Sequence, residues 1–307
     1  MQLLVQPDDG IYPTLKGIRK AQRTIDMHIF RLDRKPIKKA LAEAVGRGVA
    51  VRTLIAHTNR GGEKALRKLE QRLLGIGVTV ARSADDLARY HGKIMIVDRE
   101  VLYVLGYNFT RNNIRHCRSF GIVTKKRELV EEALKVFEAD FDHKEYTGNP
   151  RALIVSPVNA RKRLIAFVRG ARRELLIYGK VTDNAAIRVL KDRVRAGVEV
   201  RIIGELEQGH EGLSAEKYPG KRLHARNIIR DGQAAFVGSQ SLRKLELDFR
   251  REIGVIVKDR QLVKRMVKVF EADWARTDAG KKEVKQATRQ KKKGKREERG
   301  KSEKKVA

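Results

Sequence analysis

The sequence predicts an α/β protein made of two copies of one unit. Three observations predict it. Residues 91–141 align with 224–274 at a constant offset of 133 without a gap, and 16 of the 51 pairs are identical. Upstream, RGVAVRTLI (47–55) echoes AGVEVRIIG (196–204) at an offset of 149. In both copies, Val/Ile-rich runs of strand length alternate with segments of helical period.

The elements follow in the same order in each half. A helix (about 12–22, and 160–170) leads into a strand (TIDMHIF, 24–30; ELLIYG, 174–179). A second helix follows (36–48; 184–197) and ends in glycine, as a helix stop does. A strand of alternating Val/Ile and polar residues comes next. The larger upstream offset leaves about 16 extra residues in the first half, around KALRKLEQRLLGIGVTVARS (64–83), which reads as one more helix and strand. Two histidine strands follow, HGKIMIVD (91–98) and HARNIIRD (224–231), each running into a hairpin. Asp231-Gly232 is a strong hairpin dipeptide, and Asp98 sits at the matching turn, so both aspartates read as structural. A closing helix buries Val130, Ala133, Leu134 and Phe137 in one copy and Val263, Met266, Val267 and Phe270 in the other. The polar stretch 142–150 reads as the linker. From about Thr277 the apolar period stops and a basic, disordered tail is expected.

The chain has 307 residues and a formal net charge of +31. Residues 281–307 hold 13 Lys+Arg and 4 Asp+Glu, a net +9, which leaves +22 on the first 280. The body is therefore itself basic and suits an anionic partner: a phospholipid or other phosphodiester, an anionic membrane surface, or nucleic acid, the last also through the tail. A single cysteine, Cys117, rules out an internal disulfide framework and reads as a packing residue. The N-terminus lacks a basic region and a signal-length apolar run. No stretch approaches about 18 apolar residues, so no transmembrane segment is expected. The expected location is cytoplasmic, with peripheral contact to a membrane open.

His91 and Lys93 share a strand face, as do His224 and Arg226, because side chains two apart in a strand point the same way. An imidazole with a cation beside it, present twice, suits phosphodiester cleavage by two displacements. One histidine attacks phosphorus; the other protonates the leaving alkoxide and then activates water. The cations stabilise the non-bridging oxygens, so neither a metal nor another cofactor is expected. The remaining histidines, His28, His57, His116, His143 and His210, lack metal-ligand spacing.

The pattern H-x-K-x4-D followed by G-S-x-N resembles the signature of the phospholipase D superfamily. This superfamily includes bacterial phospholipases D, cardiolipin synthases, phosphatidylserine synthases and some nucleases. The resemblance covers 1–148 and 149–276 as two phospholipase D-like halves, leaving 277–307 as tail. It implies mixed sheets flanked by helices, packed with pseudo-twofold symmetry, and both histidines in one cleft. It implies His91 as nucleophile and His224 as general acid/base. Asn108 falls on the motif's Asn, with Leu105-Gly106 in place of Gly-Ser. In the second half Gly238 and Ser239 match, Arg226 replaces Lys, and Ser241 replaces Asn. A third residue should orient each imidazole. Glu252 looks like the acidic partner of His224, and Ser119 occupies the aligned place for His91.

Three readings stay open at this stage: a phospholipid hydrolase or transphosphatidylase, a nuclease, and a binding protein for anionic surfaces that has lost catalysis. The resemblance favours lipid and the charge favours nucleic acid. Aromatic residues for base stacking are few, and the loop 205–220 is polar rather than lipid-inserting.

Overall fold

The computed structural model describes residues 1–58, 62–207, 212–288 and 290. Each half is one mixed sheet. The first runs in the order Gln2–Gln6, Cys117–Thr124, Val101–Leu105, Ile94–Val97, Thr24–Ile29, Ala50–Ile55, Thr79–Arg82. The last three strands are parallel because helices Lys35–Gly46 and Gly62–Leu74 carry the chain back between them. The other pairs are antiparallel, with Ile94–Val97 and Val101–Leu105 joined by a tight hairpin. The second sheet repeats the plan: Ala215–Glu216, Glu199–Leu206, Glu174–Val181, Asn227–Arg230, Ala234–Gly238, Arg250–Val257. Leu153–Ser156 lies antiparallel on its far strand. The extra helix and strand expected around 64–83 are Gly62–Leu74 and Thr79–Arg82.

Three apolar clusters hold this together. One lies under the outer helices of the first half, with Ile18, Leu41 and Ile25, and one under those of the second, with Leu164, Leu190 and Ile177. The third lies between the halves. It gathers the inner faces of both sheets, such as Ile94, Val104, Ile229 and Val237, with both closing helices, Arg127–Phe141 and Arg260–Trp274. Phe137 and Phe270 occupy matching buried places on those helices. Burying each ring contributes roughly 1.5–3 kcal/mol.

The halves also exchange strands. Arg89–Tyr90 of the first half pairs in parallel with Arg250-Arg251 of the second, and Arg222–Leu223 of the second pairs with Cys117-Arg118 of the first. Each exchanged pair comes immediately before a histidine. The backbone of His91 therefore donates to Arg251 O (2.8 Å), and that of His224 to Arg118 O (3.0 Å). The same two arginines make reciprocal ion pairs with the other half's closing helix. Arg118 Nε lies 2.8 Å from Asp273 Oδ2, and Arg251 Nε lies 3.0 Å from Asp140. Both aspartates belong to the repeated Val-Phe-Glu-Ala-Asp.

Several expectations need correction. The histidine strands begin at Ile94 and Asn227, three residues late, because the histidines hydrogen-bond across the interface rather than within their own sheets. Strands Gln2–Gln6 and Leu153–Ser156 and helices Arg111–His116 and Lys244–Asp248 were not foreseen. Each is only four to six residues long, too short for a periodicity to declare itself. Residues 278–288 are helical, so disorder from 277 does not hold for them. Glu216 Oε2 accepts from the Asp278 and Ala279 amides at their start, and Trp274 Nε1 donates to Glu283 Oε2 (3.0 Å). Residue 289 and residues 291–307 lie outside the described residues. No helix among the described residues is long and apolar enough to cross a membrane.

Candidate active site

The hairpins after the histidines are pinned by the two aspartates. Asp98 (φ 53°) accepts from the amides of Gln22, Arg23 and Thr24; Asp231 (φ 54°) accepts from those of Arg172, Arg173 and Glu174. Burial alone would raise both carboxyls. The amides outweigh it and hold them below the ordinary range. Each aspartate thus ties its hairpin to the start of the neighbouring strand, away from the cleft.

His91 and His224 line one cleft of about 1090 Å³. His91 is buried, and its Nδ1 sits 2.8 and 2.9 Å from the two oxygens of Glu252. Glu252 therefore serves the histidine of the opposite half, not His224. The reason is the strand exchange: Arg89–Tyr90 lies on the strand that carries Glu252 and delivers His91 onto it. Burial, with Lys93 and Arg226 beside it, holds the His91 imidazole well below its ordinary range. Burial pushes the Glu252 carboxyl up, against the pull of Lys93 and Arg226. An Nδ1–H donated to Glu252 is the tautomer that leaves the Nε2 lone pair free. The ring of Phe30 packs edge-on against His91 at 4.4 Å.

His224 is held by a neutral acceptor. Its Nδ1 lies 3.0 Å from Gly106 O. Gly106, just past strand Val101–Leu105, passes close to its neighbours: a Cβ there would lie 2.9 Å from Phe120 O and 3.0 Å from Gly238 O. Ser119 does not orient His91. It aligns with Glu252 in the repeat and, by the reciprocal exchange, donates from Oγ to His224 O (3.2 Å). Burial, then Arg226 and Lys93, keep the His224 imidazole well below its ordinary range.

The two cations beside the histidines differ. Lys93 is 1% exposed, donates to His91 O, and has Nζ 3.1 Å from His91 Nδ1. Burial pulls its ammonium down to about 7; Glu252 opposes this and Arg226 adds to it. Arg226 reaches Glu246, with Nε 3.3 Å from Oε2. Asn108 and Ser241 occupy matching cleft positions. The Asn108 amide donates to Asn113 Oδ1 (2.9 Å), and the Ser241 amide to Glu246 Oε2 (2.7 Å). Ser239 lies behind the cleft, exchanging hydrogen bonds with Ile253. Cys117 is buried and accepts from Asn113 Nδ2 (3.4 Å).

The lining also includes residues that carried no motif in the sequence, among them Phe30, Arg31, Arg89, Arg243, Glu246 and Arg250. Among the described residues the lining holds nine Lys or Arg side chains against three carboxylates, so its field favours a multiply charged anion. One signal for Glu246 was present in the repeat: it aligns with neutral Asn113, at the same time as Arg226 aligns with Lys93. Among the described residues, no group of three or more His, Cys, Asp or Glu is placed to hold a metal ion. His210 and part of the loop 205–220 (208–211) lie outside the described residues.

Two like α/β halves that exchange strands around one shared histidine cleft define a duplicated phospholipase D-like protein. A family model described as "Cardiolipin synthase, PLD-like domain" matches residues 14–141 and 164–274, and the chain belongs to that family. It is 27% identical over 294 residues to a polyphosphate kinase of Prosthecochloris aestuarii (strain DSM 271 / SK 413), covering 85% of this chain and 41% of that protein. It is 22% identical over 323 residues to cardiolipin synthase B of Salmonella typhi, covering 84% of this chain and 76% of the relative. A crystal structure of polyphosphate kinase from Porphyromonas gingivalis superposes with a TM-score of 0.73 at 17% identity, covering 88% of this chain and 49% of that one. That likeness is one of fold. The chain spans about two fifths of the length of the polyphosphate kinases it matches.

Proposed function

We propose that the chain cleaves phosphodiesters through a covalent phosphohistidine, by hydrolysis or transfer, with phospholipids as the first substrate class. The observation that carries the reading is the unequal orientation of two imidazoles on one cleft. His91 is backed by the Glu252 carboxylate, which raises the nucleophilicity of Nε2 as phosphorus is attacked and positive charge develops on the ring. His224, neutral in the free protein, is favoured as an imidazolium once an anionic phosphodiester lies beside it, and the carbonyl behind it stabilises that charge less than a carboxylate would, so the proton passes readily to the leaving alkoxide. Arg226 neutralises the non-bridging oxygens from the cleft wall, the Lys93 charge adds to it from directly behind His91, and Asn108 and Ser241 offer further hydrogen bonds to them. The cardiolipin synthase relative supports a lipid substrate, and an anionic membrane surface would be met through the basic body. The basic lining of the cleft favours a second reading, a polyanionic chain such as nucleic acid.

The test incubates the pure protein, in EDTA, with labelled anionic liposomes, single- and double-stranded DNA, and polyphosphate. Head-group release supports the lipid reading, nicked DNA the nuclease, and a shortened phosphate chain a phosphoanhydride substrate. Binding without any product would sink the enzymatic reading in favour of a non-catalytic binder.

The pH profile carries its own expectation. With a p-nitrophenyl ester, whose leaving group needs no proton from His224, the free-enzyme profile, kcat/KM, depends on neutral His91 and charged Lys93. His91 stays neutral well below its usual range, so activity should not fall at mildly acidic pH. Lys93 loses its charge as pH rises through about 7, so kcat/KM should decline there with a one-proton slope. Lys93→Arg keeps the charge and should remove the decline. A profile that instead rises through pH 7 contradicts the assignment.

A further inference from the structure

The two sides of the cleft are built differently, and the internal repeat shows how. Beside His91 the cation is Lys93, and the residue that accepts the Asn108 amide is neutral Asn113. Beside His224 the cation is Arg226, and the residue that accepts the aligned Ser241 amide is Glu246, 1% exposed. The backbone bond is the same in both halves. What Glu246 adds is charge. Arg226 Nε lies 3.3 Å, Arg243 Nη1 3.2 Å and Arg250 Nη1 3.5 Å from its oxygens. Burial alone would raise the Glu246 carboxyl; Arg226 and the Ser241 amide hold it below the ordinary range, so it is ionised.

A buried carboxylate is tolerated only when paired, and this one is paired three times over. Among the described residues, the other carboxylate within ion-pair reach of these arginines is Glu252, 3.8 Å from Arg250, and it is engaged by His91. Three guanidiniums against two carboxylates leave positive charge in excess. Arg226 Nη1 is buried and has no hydrogen-bond partner among the described residues. All three arginines line the cleft. An acceptor is missing there, and a phosphoryl oxygen entering the cleft would supply one of complementary charge.

We propose that Glu246 is a positioning residue: balanced by Arg243 and Arg250, it holds Arg226 as a phosphoryl-oxygen clamp on the His224 side, at the position Lys93 takes on the His91 side. An arginine is long and its fork is rigid, so it needs an anchor to present Nη1 in one direction. A lysine in the same place needs none. Lys93 with Asn113 and Arg226 with Glu246 are thus two matched sets. The inference rests on the reading that the two histidines flank a substrate phosphoryl group.

The experiment compares Glu246→Gln, Arg226→Lys and the double variant Arg226→Lys/Glu246→Asn, which copies the His91 side. Binding of inorganic phosphate is measured by calorimetry, kcat and KM on bis(p-nitrophenyl) phosphate, and folding by circular dichroism. Glu246→Gln should weaken phosphate binding and raise KM about 10-fold or more, with a smaller change in kcat, as expected when charged hydrogen bonds to the ligand are lost. Arg226→Lys should lose a similar factor, and the double variant should recover most of it. The recovery separates positioning from mere folding, and it keeps the test usable if Glu246→Gln misfolds. Phosphate affinity unchanged in Arg226→Lys, or a double variant no better than the single, overturns the clamp. Phosphate binding that follows the expected pattern without turnover on any substrate leaves the clamp standing and removes the two-histidine chemistry; normal turnover with affinity indifferent to Glu246 does the reverse.

Discussion

His91→Asn should lower turnover by about 10⁴-fold or more, the scale seen when a covalent nucleophile is removed. Asparagine fits the pocket and can still hydrogen-bond Glu252, but its amide has no lone pair able to attack phosphorus. The loss is therefore chemical rather than structural. A single turnover with labelled substrate, quenched in alkaline denaturant, should show an acid-labile phosphoenzyme in the native protein and none in the variant. His224→Asn should behave differently. With a p-nitrophenyl leaving group, which needs no proton, the phosphoenzyme should still form, and it should then persist because no base activates water. If His91→Asn turns over within about tenfold of the native rate, the nucleophile is misassigned. If the phosphoenzyme is lost in His224→Asn and kept in His91→Asn, the two roles are exchanged.

Asp140→Ala should cost about 3–5 kcal/mol of folding stability, because it strands Arg251 in the interface between the halves. Arg251 is 5% exposed and cannot shed its proton. Arg251→Met should cost less. It leaves a carboxyl that burial already pushes up to about 7 against the pull of Arg251, and that can take up a proton. The sign of the pH dependence follows. In Arg251→Met the folded Asp140 carboxyl titrates above its unfolded value. The penalty is therefore absent below the unfolded carboxylate pKa of roughly 3.9 and grows as pH rises through the folded value, near 7 or higher. Urea unfolding at about pH 5.5 and pH 8 should show the Arg251→Met deficit shrinking on the acid side, while that of Asp140→Ala does not. Arg251 also donates to Ser156 O and lies over the Tyr90 ring, so a residual cost remains at low pH. A loss under about 1 kcal/mol for Asp140→Ala would show that the pair does not hold the halves together.

Much of this architecture is legible in the sequence because it is local or repeated. The helices and strands of the two halves follow from apolar period and from glycine stops. Asp98 and Asp231 follow from hairpin chemistry at a fixed distance from each histidine. The duplication itself exposes His91 and His224, since a lone histidine in a strand carries little information and two at one repeat position carry much. What escaped was short or non-local. Gln2–Gln6 and Leu153–Ser156 are too brief to show a pattern. Helix 278–288 is exposed along nearly its whole length, so its sequence has no apolar stripe; it is held by Glu216 and Trp274, which no local reading reaches.

The orientation of the histidines lies beyond any reading along the chain. Sequence alone determined that there are two imidazoles, that each has a cation two residues on, and that Glu252 is the acid at the orienting position. By proximity along the repeat, Glu252 belonged to His224. Only the tertiary structure decided that it serves His91, with Gly106 and Ser119 of the first half serving His224. The physical reason is the exchange of Arg89–Tyr90 and Arg222–Leu223. Two backbone ladders across the interface carry each histidine out of its own half and onto the orienting residues of the other.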